Sequence, residues 1–206
     1  MQAKDHWEHL YASRDAAAVS WYQEHAEHSI RLIRETELPA SAAIIDVGGG
    51  ASTLVDDLLQ AGYSKLTVLD LAAAALAAAR TRLGERADRV QWIEANVTDA
   101  ALPAHAFDLW HDRAVFHFLT APEERHAYVE AVLAAVRPGG HVIVATFAPD
   151  GPSECSGLPV RRYSADGLHA EFGAPFALLK HEREAHRTPF GTVQQFVYCY
   201  CRRQSE

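Results

Sequence analysis

The sequence predicts an α/β fold, a mostly parallel sheet with helices on both faces that closes in an antiparallel β-hairpin. Three observations lead there. From about Ala42 to His141, short apolar runs alternate with helix-like segments, as consecutive βαβ units do. The run Ala43-Ile44-Ile45-Asp46-Val47 meets an acid and opens into Gly48-Gly49-Gly50, so a buried parallel strand is followed by a turn that lets a ligand approach bare backbone. The last two runs, Phe176–Arg183 and Thr192–Cys201, leave no room for a helix between them. They should pair antiparallel through the turn at Pro189-Phe190-Gly191.

Each element has its own signal. Two N-terminal helices are expected over Lys4–Ser13 and Val19–Glu37; the second carries Trp21, Tyr22, Ala26, Ile30 and Ile33 near helical spacing and is followed by Pro39. After the first strand, Ala42–Val47, a helix over Ser52–Ala61 closes at Gly62. The second strand is Lys65–Asp70, and the alanine-rich helix Ala72–Leu83 ends at Gly84. The third strand is Arg89–Glu94 and the fourth Phe107–His111, with a short helix from about Ala114. Thr120-Ala121-Pro122-Glu123 reads as a capping box opening a long helix to Val136, which Arg137-Pro138-Gly139-Gly140 stops. The fifth strand, His141–Phe147, leads into a loop holding Pro149, Gly151, Pro152, Gly157 and Pro159, then a helix capped by Ser164.

Length and composition narrow the class. The 206 residues, 49% hydrophobic and 22% charged, suit one globular domain spanning 1–206. A net charge of −8 repels phosphate backbones and anionic membranes, which argues against nucleic acid as a partner; Arg161-Arg162 is the local basic exception. The start, Met1-Gln2-Ala3-Lys4-Asp5-His6-Trp7, has no signal-peptide or transit-peptide pattern, and the longest bland run, Leu71–Ala79, is too short to span a bilayer. A soluble cytoplasmic protein is expected. Cys155, Cys199 and Cys201 fit reduced thiols, because an odd number cannot all pair and the last two sit i,i+2 on one strand. Twelve histidines include His25 and His28 at i,i+3, but no tight His/Cys set forms, so no metal is expected.

The acid Asp70 ends the second strand twenty positions after Gly50 (70 − 50), about where a Rossmann-like fold places a carboxylate to accept from both ribose hydroxyls. That spacing points to a nucleoside cofactor. The charged triplet His111-Asp112-Arg113 falls at the carboxyl edge of the fourth strand, where open α/β sheets bind ligands.

Asp46-Val47-Gly48-Gly49-Gly50, Asp70, Phe107-Asp108-Leu109-Trp110-His111-Asp112 and Leu133-Ala134-Ala135-Val136-Arg137-Pro138-Gly139-Gly140-His141-Val142 stand in one order and spacing. Together they resemble the class I S-adenosylmethionine-dependent methyltransferases over about residues 40–201. The family's third small residue is usually glycine, and here Ser52 replaces it. The segments His6-Trp7-Glu8-His9-Leu10-Tyr11 and Val19-Ser20-Trp21-Tyr22-Gln23 are more loosely similar to small bacterial members, including the thiopurine and tellurite branches.

The resemblance implies a Rossmann-like three-layer sandwich with a seven-stranded sheet, residues 1–38 forming a helical lid over a 40–201 core. It implies S-adenosyl-L-methionine as cofactor and S-adenosyl-L-homocysteine as product. Gly48, Gly49 and Gly50 would carry the methionine moiety and sugar on bare backbone. Asp46 would orient that turn or hold the amino group, directly or through water. Asp70, with Leu71 beside it, would take the ribose. Asn96 and Val97 would meet adenine, unless Asn96 only caps a turn and Asp99 takes its place. His111 and Asp112 would lie beside the methyl or the amino group. His117 is either a general base or a packed residue between Phe116 and Phe118. Trp21 and Tyr22 would close the lid by cation–π attraction, unless they simply pack. Arg14 would meet the cofactor carboxylate or stay solvated, and Arg161 or Arg162 would bind an anionic acceptor or pair with a nearby acid.

The acceptor is expected to be a small molecule, with a protein lysine second and a metalloid held by the cysteines third. Outside the class stand an NAD-dependent oxidoreductase, which would need a helix between the last two strands, and a non-catalytic cofactor-binding module.

Overall fold

A computed structural model describes residues 2–13 and 18–205. Five apolar runs become parallel neighbours: β1 (Ala43–Val47), β2 (Lys65–Asp70), β3 (Val90–Glu94), β4 (Phe107–Arg113) and β5 (Val136–Phe147). A short hairpin of β6 (Glu154–Cys155) and β7 (Leu158–Pro159) stands apart. β8 (Phe176–Arg187) and β9 (Val193–Arg203) complete a seven-stranded sheet in the order β3-β2-β1-β4-β5-β9-β8. β9 runs antiparallel to both β5 and β8, so the chain closes in the expected hairpin with no helix between its last strands.

Strand alternation assigns the apolar side chains to two cores. Ile44, Leu66, Val68, Leu109 and Ile143 face one layer, formed by α2 (Glu27–Glu35), α3 (Leu54–Gln60) and α4 (Ala73–Leu83). Ile45, Val47, Leu69, Trp110 and Val142 face the other, formed by α5 (Pro122–Ala135) and α6 (Ala165–Phe172). Burial on both faces explains why these strands read as continuous apolar runs. β1 pairs with β2 on one side and β4 on the other, so strand order reverses there and a crevice opens at the carboxyl ends.

Several boundaries differ from the sequence expectation, each for a tertiary reason. α2 begins at Glu27 and not Val19, so Trp21 and Tyr22 lie in an irregular segment. Backbone groups there are committed elsewhere: the Ser20 carbonyl accepts from His186 Nε2, the Gln23 carbonyl from Thr53 Oγ1, and the Ala26 N–H donates to Asp57 Oδ2. α5 is capped one residue later than expected. Pro122 takes its first position and the Glu124 carboxylate accepts from the Ala121 N–H, while the Thr120 carbonyl is held by Arg125. β5 starts at Val136, because Arg137-Pro138-Gly139-Gly140 joins the strand through a register shift opposite Phe107–Leu109. The turn after Ala114 is a 3-10 turn over Phe116–Phe118. α6 carries the expected cap, with Ser164 Oγ accepting from the Gly167 N–H.

One buried polar lock joins β4 to α5. Trp110 Nε1 donates to Tyr128 Oη at 2.9 Å, and Tyr128 donates onward to Asp112 Oδ2 at 2.7 Å. Replacing Tyr128 with Phe keeps the ring but leaves a buried indole N–H and a carboxylate oxygen short of a partner. Tyr128→Phe should lose about 1–3 kcal/mol of stability, read as a lower urea midpoint with an unchanged slope.

Candidate functional site

Two adjoining cavities occupy the crevice. One of about 200 Å³ is bordered by Asp70, Leu71, Asn96, Val97, Val115 and Trp7. A smaller one of about 50 Å³ is bordered by Ser29, Asp46, Gly48, Gly49, Thr53 and His111. Tyr11, Trp21, Val47, Gly48 and Arg113 border both.

The three glycines are required by close approach. Gly48 adopts φ +70°, donates its N–H to the Leu69 carbonyl at 2.7 Å, and would set a Cβ 2.0 Å from Val115 Cγ2. A Cβ on Gly49 would fall 2.3 Å from Asp46 Oδ2. Gly50 borders neither cavity. Its N–H donates to Asp70 Oδ2 at 3.0 Å and a Cβ there would come within 2.5 Å of the same oxygen, so its missing side chain makes room for Asp70 and not for a ligand.

Asp70 borders the larger cavity. Its second oxygen accepts from the Ala72 N–H at 2.9 Å. Burial pushes its pKa up to about 6, and the amides of Ala72 and Gly50 hold it from rising further. Each carboxylate oxygen keeps a second lone pair, so the group can accept from a vicinal diol. Leu71, Asn96 and Val97 border the same space. Asn96 Oδ1 also accepts from the Thr98 N–H at 3.3 Å, so the residue caps its turn as well as bordering the cavity.

The β4 tip is divided by alternation. His111 borders the smaller cavity, but both its ring nitrogens are engaged: Nδ1 lies 2.7 Å from Asp46 Oδ1 and Nε2 lies 2.8 Å from Ser29 Oγ. Asp112 points into the opposite layer, is fully buried, and accepts from the Val115 and Phe116 N–H groups as well as Tyr128; burial raises its pKa to about 6. It borders neither cavity, which corrects its expected place beside the methyl group. Of the two places expected for His117, the structure has the packed one and not the general base's. His117 is fully buried in the 3-10 turn, its Nδ1 accepts from the Phe147 N–H at 3.3 Å, and it borders neither cavity. Burial, helped by the Arg113 charge, lowers its pKa to about 3, so it stays neutral.

Arg113 borders both cavities with its charge already paired. Its guanidinium donates to Glu184 and Tyr198, lies 4.1 Å from the Phe196 ring centroid, and reaches the Trp21 carbonyl. Burial opposes that charge, but Tyr198 and Glu184 outweigh it and hold the pKa above the usual arginine value. The terminal hairpin thus holds Arg113 at the crevice without bordering either cavity itself.

The roof is aromatic. Trp21 meets Trp7 edge-on at 5.7 Å, and Trp7 meets Phe118 edge-on at 5.2 Å. Trp7 and Tyr11 come from helix α1 (Gln2–Ser13), which Glu8 fastens by accepting from the Ala73 N–H at 2.6 Å and the Ala74 N–H at 3.0 Å. Trp7, Tyr11 and Phe118 were not assigned individual roles from sequence, although Trp7 and Tyr11 stand i,i+4 on the expected helix. Tyr22 borders the smaller cavity. Arg14 lies outside the described residues.

Arg161 pairs with Glu171 and Arg162 donates to the Gly151 carbonyl, and neither borders the crevice. Cys155 borders the larger cavity, its thiol pushed up to about 12 by burial. Cys199 and Cys201, with sulfurs 3.1 Å apart, belong to the opposite core layer, so the three cysteines do not form one soft-ion site.

Comparison with known proteins agrees with this geometry. Residues 44–140 match a family described as a methyltransferase domain. A zebrafish (Danio rerio) EEF1A lysine methyltransferase 2 is 29% identical over 157 residues, 68% of this chain and 66% of that protein. A ubiquinone/menaquinone biosynthesis C-methyltransferase of Methylobacterium nodulans is 32% identical over 108 residues, 51% of this chain and 42% of that protein. The chain therefore spans just under two thirds of the first relative and less than half of the second.

Among solved structures, one tied to conversion of a disulfide into a thioacetal group during echinomycin biosynthesis superposes with TM-score 0.81, at 18% identity, over 98% of this chain and 92% of that one. A Burkholderia thailandensis 1,6-didemethyltoxoflavin-N1-methyltransferase with bound S-adenosylhomocysteine superposes with TM-score 0.68, at 22% identity, over 99% and 83%. The matched segment and the shared fold support a class I S-adenosylmethionine-dependent methyltransferase.

The raised pKa of Asp70 has a sign that can be measured. A ribose diol would donate to the ionised carboxylate, and at pH 5 a group titrating near 6 is mostly protonated. Adenosine affinity should rise about tenfold between pH 5 and 7 and level off above, as followed by calorimetry. Asp70→Asn should flatten that dependence.

Proposed function

We propose that this protein transfers a methyl group from S-adenosyl-L-methionine to a nucleophilic small molecule, leaving S-adenosyl-L-homocysteine. The observation that carries the reading is the Asp70 carboxylate, set beside the glycine turn on the border of the larger cavity. The donor supplies a methyl group already activated by a positively charged sulfur. The chain's tasks are then to bind, align and exclude water.

Asp70 receives the ribose hydroxyls, Leu71, Asn96 and Val97 flank the adenine, and the Gly48–Gly49 backbone takes the amino-acid end. Asp46 receives the amino group. Trp7, Tyr11 and Trp21 form a roof whose ring faces favour a cation and keep water out. In this reading residues 40–201 are the core, and the lid expected over residues 1–38 narrows to the chain before α2, because α2 itself packs into the sheet's core layer. His111 is the imidazole among the described lining residues, and both its nitrogens are spent. The acceptor therefore brings its own nucleophilic atom, already deprotonated or neutral.

The small-molecule preference is supported by the enclosed aromatic roof. A protein-lysine acceptor is the second reading, favoured by the similarity to an EEF1A lysine methyltransferase. A cytoplasmic setting is supported by three free buried cysteines, and among the described residues no helix is long and apolar enough to cross a membrane. The net charge of −8 speaks against nucleic acid as acceptor.

Calorimetric titration should show binding of S-adenosylmethionine and none of NADH. Asp70→Ala should weaken that binding at least tenfold while the far-UV circular dichroism stays unchanged; equal affinity in a folded variant would remove Asp70 from the site. Transfer of labelled methyl to cell extract, separated into small-molecule and protein fractions, should place the label in the small-molecule fraction. Label in the protein fraction would select the second reading.

A further inference from the structure

Ser29, in the first turn of α2, is 1% exposed and borders the smaller cavity. Its hydroxyl lies 2.8 Å from His111 Nε2, and His111 Nδ1 lies 2.7 Å from Asp46 Oδ1. Three elements, α2, β4 and β1, thus meet in one buried chain of hydrogen bonds. The imidazole ring is rigid, so bonds at its two opposite nitrogens fix its plane, and the fixed plane sets the rotation of the Asp46 carboxylate.

The other end of that chain is open. Asp46 Oδ2 is buried and has no partner among the described residues. Four buried side-chain polar atoms share that condition, and of their residues only Asp46 borders this cavity. A buried carboxylate oxygen without a donor is costly, and a cationic donor is the partner that repairs it best. Gly49 keeps the approach free, since a Cβ there would fall 2.3 Å from the same oxygen.

We infer that Ser29 and His111 are positioning residues, which hold the Asp46 carboxylate so that Oδ2 receives the primary ammonium of the donor's amino-acid end. This rests on the proposed methyl-donor reading. The order Ser–His–Asp also occurs in hydrolases, where the serine attacks an acyl group. Here Ser29 is 1% exposed beside a cavity of only about 50 Å³, which leaves no room for an acyl group at its hydroxyl.

Two ligands isolate the effect: S-adenosylmethionine, and 5′-methylthioadenosine, which keeps the adenosine and thioether but lacks the amino-acid end. Calorimetric titration of the full chain with each should show Ser29→Ala binding S-adenosylmethionine about tenfold more weakly and methylthioadenosine as the parent does. Ser29→Thr, which keeps the hydroxyl, should recover the difference. His111→Phe should show the same selective loss. Unchanged methylthioadenosine affinity reports that each variant is folded. Parallel loss of both ligands, or loss of neither, overturns the inference. If the parent protein binds methylthioadenosine but gains nothing from the amino-acid end, the inference falls and the nucleoside site stands. If the parent binds neither ligand, the donor reading itself falls and carries the inference with it.

Discussion

The contact between the Asp70 carboxylate and the Gly50 amide is the constraint around which the crevice is arranged. It ties the tip of β2 to the turn after β1, and a second bond, from the Gly48 N–H to the Leu69 carbonyl, ties the same two segments one step earlier. Both require backbone without side chains. Burial works against the Asp70 charge, and the surrounding amides offset only part of that cost, leaving a pKa of about 6. A carboxylate in that condition gains from any hydroxyl donors that arrive, which is why the proposed reading sets the donor's diol at the point where these two parallel strands end.

The β4 tip shows how one strand serves two layers. Trp110 and Asp112 turn to α5 and lock it through Tyr128, while His111 and Arg113 turn to the crevice. Those two side chains lead separate polar networks. His111 joins Asp46 to Ser29, and Arg113 joins Glu184 and Tyr198 of the terminal hairpin. Gln23, which borders the smaller cavity, also donates to Glu184, so it shares that carboxylate with Arg113. The hairpin is therefore part of the site's electrostatics and also the sheet's closing edge.

The roof depends on a helix end. Glu8 sits on the first free amides of α4, where the helix's positive end favours a carboxylate, and Lys4 pairs with Glu94 at the tip of β3. α1 is thus fastened to the ends of the two strands that flank the larger cavity, which places Trp7 and Tyr11 over it.

The local code determined the strands, the glycine turn, the second-strand acid and the final hairpin. Apolar runs bounded by glycine, proline and acids have few other ways to fold, and Asp70 was legible because its spacing from Gly50 is fixed by one βα unit. Tertiary structure decided which polar side chains reach the crevice. His111, Asp112 and His117 look equivalent in a list of residues, yet strand alternation sends Asp112 to α5, and the 3-10 turn carries His117 into the core. Ser29 gave no signal at all, because its role comes from a contact across 82 positions of chain. The start of α2 was misplaced for a related reason: the backbone of residues 20–26 bonds to Thr53, Asp57 and His186, partners that only a folded chain can supply. Periodicity records which face of an element is buried, whereas a site is made where several elements end together, and that meeting is written in no single segment.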